Sequence, residues 1–329
     1  MTTVTAVFRD IVKLSLSMLI AFVVLNAFCY FYYHLAIHHD NDSGATDYKW
    51  TPNYSIRRGT EGFAVSRTNN DGHMNSFDWH PGDRVKILIM GNSHMEAGNV
   101  MTDESVASRL NSMLGDRSVY NIGTSGHHLV TIANNVRAAV RRYRPEKFII
   151  INITSIYPSG EAIKKMLDGE YKRIPSYSGG IVGFLQKSDY LRLIWAQYKN
   201  FQRQHQTKKP QSEPEKNDWQ LIGRMLAKVQ RDAGDGLGVI IVYHPSIKLD
   251  HDGKLNFTHE AEDVQHFAKI CAETNIEFLD MSTRFAKEYE ESHILPNGFI
   301  NTPVGAGHLN REGHRMIADE LYRMILEVK

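Results

Sequence analysis

Two residues at opposite ends of the chain have the chemistry of a nucleophile and its base. Ser93 stands in Gly91-Asn92-Ser93-His94, directly after an apolar run, and His308 stands in Gly307-His308-Leu309-Asn310, directly before a long helical pattern. A serine hydroxyl is a weak nucleophile until an imidazole takes its proton, so a serine and a histidine displayed on separate loops are the parts of an acyl-transfer site. Between them lie two segments that can steady the negative charge of such an attack. In Asn121-Ile122-Gly123-Thr124-Ser125-Gly126 the glycines let the backbone approach a substrate, with a free N–H as oxyanion donor. Asn152 closes the run Phe148-Ile149-Ile150-Ile151 with an amide that is costly to bury unpartnered, which favours a ligand-facing position. Each piece alone also reads as a plain turn or a strand-end hydrogen bond, and only their combination has weight.

The elements that must position these residues alternate. Short apolar runs at 85–90, 118–122, 147–153, 238–243 and 276–281 predict strands, and helical patterns fall at about 103–115, 128–143, 217–234, 259–274 and 310–327. This βα alternation predicts an α/β fold, a flavodoxin-like three-layer sandwich with a five-stranded parallel sheet, whose ligands bind beyond the carboxyl ends of the strands. The stretch from about 155 to 216 is too long for a simple connection and reads as an insertion. Its middle, 188–201, is expected to be a helix packing over the sheet, and its polar end, 202–218, a surface loop.

Residues 14–37, LSLSMLIAFVVLNAFCYFYYHLAI, contain no Asp, Glu, Lys or Arg and are long enough to cross a hydrocarbon core of ~30 Å as a helix. Arg9 and Lys13 precede the run while Asp40 and Asp42 follow it, which predicts a cytoplasmic N-terminus (1–13), a single transmembrane helix (14–37) and an extracytoplasmic remainder. The run exceeds the ~7–15 residues of a signal-peptide core and no small-x-small cleavage site closes it. Residues 38–83 read as a polar stalk leading into a domain that fills 84–329. His34, His38 and His39 are expected to be interfacial polar residues rather than metal ligands. Cys29 and Cys271 predict no disulfide, with Cys271 a buried small hydrophobe.

Together the four chemical segments resemble the SGNH hydrolase family, also called GDSL-like, over roughly residues 84–329. GNSHMEAG matches the family's first block with Ser93 as nucleophile, and Asn92 takes the place of the usual Asp. NIGTSG matches the second, with Gly126 at the oxyanion glycine. Asn152 corresponds to the oxyanion asparagine, although the usual Gly-x-Asn-Asp surroundings are absent. GHLNREGHRMIADEL matches the last block and places His308 at the catalytic histidine. The resemblance implies an oxyanion hole of Ser93, Gly126 and Asn152, with no metal or cofactor. The family's acid stands three residues before the histidine, where this chain has Gly305. A backbone carbonyl, a carboxylate from another loop or a simple Ser–His dyad would therefore orient His308.

Membrane-tethered proteins of this kind resemble the extracytoplasmic partners of polysaccharide O-acetylation systems, in which a multi-pass membrane acyltransferase supplies the acyl group. The expected substrate is an acylated envelope glycan or glycolipid. The competing reading is an inactive scaffold or glycan-binding protein of the same fold, with Tyr157, Tyr171, Tyr177 and Trp195 stacking on sugars. A nucleic-acid partner has no electrostatic support, since 38 Lys and Arg balance 37 Asp and Glu. A dinucleotide or nucleotide site lacks its glycine-rich or lysine-bearing phosphate loop.

Overall fold

The structure, a computed structural model, describes residues 2–40, 43–115, 117–172, 188–205 and 218–327. Four short strands come first, β1 (His38–Asp40), β2 (Tyr48–Trp50), β3 (Ser55–Arg58) and β4 (Ala64–Arg67). The sheet domain then runs through β5 (Val85–Met90), β6 (Val119–Asn121), β7 (Pro145–Ile153), β8 (Gly238–Tyr243) and β11 (Glu277–Asp280), with the small hairpin β9 (Ile247–Leu249) and β10 (Leu255–Phe257) beside it. The central five strands are parallel in the order β11-β8-β7-β5-β6. Counted along the sheet this is the flavodoxin-like 2-1-3-4-5 arrangement, whose switch point lies between β5 and β7. Ser93 follows the first of these strands and Asn152 lies near the end of the second.

β5, β7 and β8 read as nearly unbroken apolar runs because both faces of the sheet are covered. One face carries the helices Leu129–Tyr143, Trp219–Ala233 and Ala261–Glu273, with Leu88, Ile149, Ile151 and Ile241 at the shared core. The other carries Val106–Leu114 and Arg311–Glu327, packed on Ile87, Ile89, Ile150 and Ile240. A further helix, Ser282–Ser292, outside the expected helical patterns, buries Phe285 on that second face. Cys271 is buried, burial pushes its thiol up to about 12, and both cysteines are free.

Residues 38–83, expected as a stalk, are folded against the domain. β1 pairs with β2 and β3 with β4, and Ala36, Trp50, Ile56 and Met74 form a small core of their own. The segment docks through polar groups that meet partners. Asn75 exchanges two hydrogen bonds with the backbone of Asn121, on edge strand β6, at 2.8 and 2.9 Å, and Asn69 donates to the Tyr120 hydroxyl at 2.8 Å. Asp71, 6% exposed, accepts from Arg142 and from the Tyr143 hydroxyl at 2.7 Å. A weakly patterned, polar sequence hides this because its contacts are hydrogen bonds to the domain rather than an apolar stripe.

The N-terminal helix spans Thr2–Tyr32, and its stretch Thr5–Tyr32, with a mean hydropathy of 2.2, is long and apolar enough to cross a membrane; Cys29, near its end, is its one buried residue among those described. It stops short of Ile37 because Tyr33 and Ala36 turn into the domain and His34 bridges Arg57 of β3. Helix Asp189–His205 does not pack over the sheet, whose faces are already covered. It lies instead along this N-terminal helix: Ser188 Oγ donates to Asn26 Oδ1 at 2.7 Å, and His34 Nδ1 meets Asp189 at 2.8 Å. Most of the polar stretch 202–218, and Tyr177, lie outside the described residues.

Removing the Asp71 carboxylate strands a partly buried guanidinium and a buried phenol. Asp71→Ala should therefore cost about 3 kcal/mol in a denaturant titration, whereas a true stalk would lose nothing. Burial lowers His244 and His314 to about 3, and His38 and His73 to about 4, from an ordinary 6.5. The unfolded chain thus binds protons that the folded one refuses. Stability is full above the ordinary histidine value and falls as pH drops through the interval below it. Denaturant midpoints measured at successive pH values check this; a midpoint constant down to the carboxylate range contradicts it.

Candidate active site

Ser93 opens a four-residue helix, Ser93–Glu96, directly after β5, with Asn92 as its cap: the Asn92 side chain accepts from the His94 N–H at 2.9 Å. His308 comes from the other end of the chain. Asn310 fixes its loop by accepting from the Glu312 and Gly313 N–H groups at 2.9 and 3.1 Å and by donating to the Leu295 carbonyl at 2.8 Å. The two loops meet, and His308 Nε2 lies 2.8 Å from Ser93 Oγ.

The group that orients His308 is Glu61, in the turn 59–63 between β3 and β4. Glu61 Oε2 lies 2.6 Å from His308 Nδ1 and also accepts from the His308 backbone N–H at 3.0 Å. A carboxylate can only accept, so Nδ1 carries the proton and Nε2 is left to accept from the serine hydroxyl. Burial pushes the Glu61 carboxyl up, but the hydrogen bonds and charge of His308, with Arg58, outweigh it and hold the group below the usual carboxylate value. Glycine is required at 307, where φ is +97° and a Cβ would sit 2.9 Å from Glu61 Oε2. The turn itself is pinned: Gly62 N–H donates to Asn301 Oδ1 at 2.6 Å, and Asn301 Nδ2 donates to the Gly59 carbonyl at 2.8 Å. Of the three alternatives for orienting His308, the structure thus supplies the carboxylate from another loop. No short motif could have marked it, because Glu61 stands 247 residues from His308.

His94 adds a second clasp. Its Nδ1 accepts from the Leu309 N–H at 3.1 Å and its ring packs on those of His308 and His244, with centroids 4.8 and 4.6 Å away. Burial, then the neighbouring histidines, lowers its pKa well below the ordinary value, so the ring stays neutral and Nδ1 stays an acceptor. The residue after Ser93 thereby grips the residue after His308.

The second block is tied to the first. Thr124 N–H donates to the Gly91 carbonyl at 2.9 Å, and Asn121 Nδ2 donates to the Met95 carbonyl at 2.7 Å. A Cβ at Gly123 would come within 2.5 Å of the Glu96 backbone nitrogen, so only glycine permits this approach. Glu96, 2% exposed, accepts from Ser125 Oγ and from Trp50 Nε1, the latter at 2.6 Å, with Arg58 at 3.4 Å. Burial raises its carboxyl while Arg58, Ser125 and Trp50 lower it, and the lowering wins. Gly126 follows directly.

Ser93, Gly126 and Asn152 line one cavity of about 440 Å³, with Thr154 and Tyr157 on its wall. The backbone N–H groups of Ser93 and Gly126 donate to no acceptor among the described residues. Asn152 Nδ2 lies 2.9 Å from His244 Nδ1 and makes a long contact of 3.4 Å to the Val242 carbonyl, which turning the amide would give up, and its Oδ1 is buried without a partner. Turning that amide over would give Oδ1 the Nδ1–H of neutral His244 and free the NH₂ group. Of the insertion's aromatics, Tyr157 reaches the cavity, Tyr171 bonds Thr131, and Trp195 lies on the helix beside the N-terminal one. A cavity of about 470 Å³ at the amino ends of β5, β7 and β8, around Lys86, Glu146 and Gly238, holds no comparable set. No cluster of metal-ligating side chains occurs among the described residues, and His34 is instead bonded to Asp189 and Tyr54.

No family model and no curated protein matches the sequence. Solved structures do show similarity. A psychrotrophic esterase EstA from Pseudoalteromonas sp. is 14% identical, with 74% of this chain and 98% of that chain covered and a TM-score of 0.39. The acetyl xylan esterase AlAXEase is 13% identical, covering 73% of this chain and all of the other at a TM-score of 0.40. A member of the lipolytic protein G-D-S-L family from Veillonella parvula is 14% identical, covering 72% and 96% at 0.39.

Glu61→Gln keeps the size of the side chain but removes the charge that holds the tautomer. It should slow phosphonylation of Ser93 by a fluorophosphonate by about 10³–10⁴-fold with thermal stability little changed. A rate within a few-fold of wild type would show that Glu61 plays no part.

Proposed function

We propose that this chain is a membrane-anchored serine esterase or O-acyltransferase that works through an acyl-enzyme on acyl esters, in the first place acetyl esters, of an envelope polysaccharide or glycolipid. The observation that carries the reading is the unbroken chain Glu61–His308–Ser93 at the mouth of a cavity with two unengaged backbone N–H groups.

His308 Nε2 takes the Ser93 proton as Oγ attacks the ester carbonyl, and Glu61 stabilises the imidazolium that forms. The oxyanion of the tetrahedral intermediate is held by the Ser93 and Gly126 N–H groups and by the Asn152 amide in its turned orientation. His308 then returns the proton to the departing alcohol, leaving the acyl group on Oγ. In the second half His308 deprotonates water, which releases the acid, or a sugar hydroxyl, which accepts the acyl group. The chemistry is the same in both directions and needs no metal.

The apolar N-terminal helix, with Arg9 and Lys13 before it, supports a cytoplasmic N-terminus and an extracytoplasmic domain, which keeps the site near surface glycans. A multi-pass membrane acyltransferase that delivers the acyl group across the bilayer is the natural partner for the transfer direction.

A fluorophosphonate probe should label the wild type and leave Ser93→Ala unlabelled. A wild type that stays unlabelled beside a labelled control esterase would favour the inactive scaffold. In cells, Ser93→Ala raises the acetyl content of the surface polysaccharide if the enzyme hydrolyses and lowers it if the enzyme transfers.

A further inference from the structure

Two apolar surfaces flank the end of the N-terminal helix and stay exposed among the described residues. The first is a stripe on helix Asp189–His205, where Ile194, Trp195, Tyr198 and Phe201 are 47, 36, 49 and 58% exposed. Their spacing places them along one side of the helix. The second is the loop that pins the Glu61 turn, where Ile300 and Val304 are 102 and 75% exposed; Phe63, in the pinned turn itself, is 55% exposed. Exposed large side chains scattered singly need no explanation, but grouped ones mark a contact surface.

Both surfaces are fastened to the last turns of the N-terminal helix. Helix Asp189–His205 is held by Ser188 on Asn26, by Tyr190 against Phe22 with ring centroids 6.1 Å apart, and by Asp189 on His34. The loop is held because the Tyr32 hydroxyl and Asn301 Nδ2 share one acceptor, the Gly59 carbonyl, at 2.5 and 2.8 Å. Each is therefore fixed next to the exposed apolar surface of the helix itself, where Phe28, Tyr30 and Phe31 are 62, 43 and 66% exposed. The stripe's Trp and Tyr are the residue types that settle at the boundary between headgroups and acyl chains, where an amphipathic helix sinks its apolar side by ~5–10 Å.

We propose that the occupant of both surfaces is the lipid bilayer: helix Asp189–His205 lies in the plane of the membrane surface beside the anchor, and the loop of Ile300 and Val304 rests on the same leaflet. The inference rests on the reading of the N-terminal helix as a membrane span. It makes the anchor a fixed mount rather than a tether, because the same Gly59 that Tyr32 holds is two residues from Glu61.

The test uses the full chain reconstituted into phosphatidylcholine vesicles that contain no other protein, with and without lipids brominated near the headgroup end of the acyl chain. Trp195 emission is taken as the difference between wild type and Trp195→Phe. About half of it should be quenched by the brominated lipid, and Ile300→Trp should add a second quenched component. A chain that floats with the vesicles while the Trp195 emission and the emission added by Ile300→Trp both stay unquenched overturns the proposal and leaves the anchor standing; concentration-dependent emission would then point to a second copy on these surfaces. A chain that fails to float overturns the anchor, and the proposal with it.

Discussion

The site depends on one hydrogen-bonded pair, the Glu61 carboxylate on the His308 imidazole. Without it the ring has no fixed tautomer, and Nε2 has no reason to present a lone pair to Ser93. The pair also closes the chain on itself, because its members come from the turn after β3 and from the loop before the last helix. An ionised carboxylate in a partly buried position is tolerable only when its oxygens are satisfied, and His308 supplies two donors to one of them. Much of the polar architecture nearby serves to keep Glu61 where it is.

That requirement explains why the segment between the N-terminal helix and the first sheet strand is so polar and yet so well packed. Asp71, Glu96 and Glu61 are three carboxylates, each held ionised by specific partners against the cost of burial. Asp71 ties the segment to helix Leu129–Tyr143, Glu96 ties Trp50 and Arg58 to the loop bearing Gly126, and Glu61 completes the set at the base. The loops that bear Ser93 and Gly126 are thus braced by the same small hairpins. The sheet supplies the platform, and the N-terminal segment supplies its orientation.

The sheet was legible in the chain because parallel strands buried on both faces are continuous apolar runs, and each of the five appears within two residues of its observed bounds at 85–90, 118–122, 147–153, 238–243 and 276–281. Ser93 and His308 stand out because the turn after the first strand and the loop before the last helix carry local composition signals. Glu61 carries none. It belongs to a short hairpin whose stability comes from contacts with distant residues, and Gly59-Thr60-Glu61-Gly62 looks like any polar turn. Helix Asp189–His205 was recognisable as a helix from its periodicity, but its partner was not: an apolar stripe says that something covers it, not what. The turn of the Asn152 amide depends on the protonation of His244, which no spacing reveals.

The most direct trial of this account is a crystal structure of the protein after reaction with a phosphonate ester. Phosphorus should be bonded to Ser93 Oγ, with Glu61 still on His308 Nδ1. One phosphonyl oxygen should lie within hydrogen-bonding distance of the Ser93 and Gly126 nitrogens and the Asn152 amide. An unmodified Ser93, or an adduct whose oxygen points away from those donors while His308 has left Glu61, would contradict it.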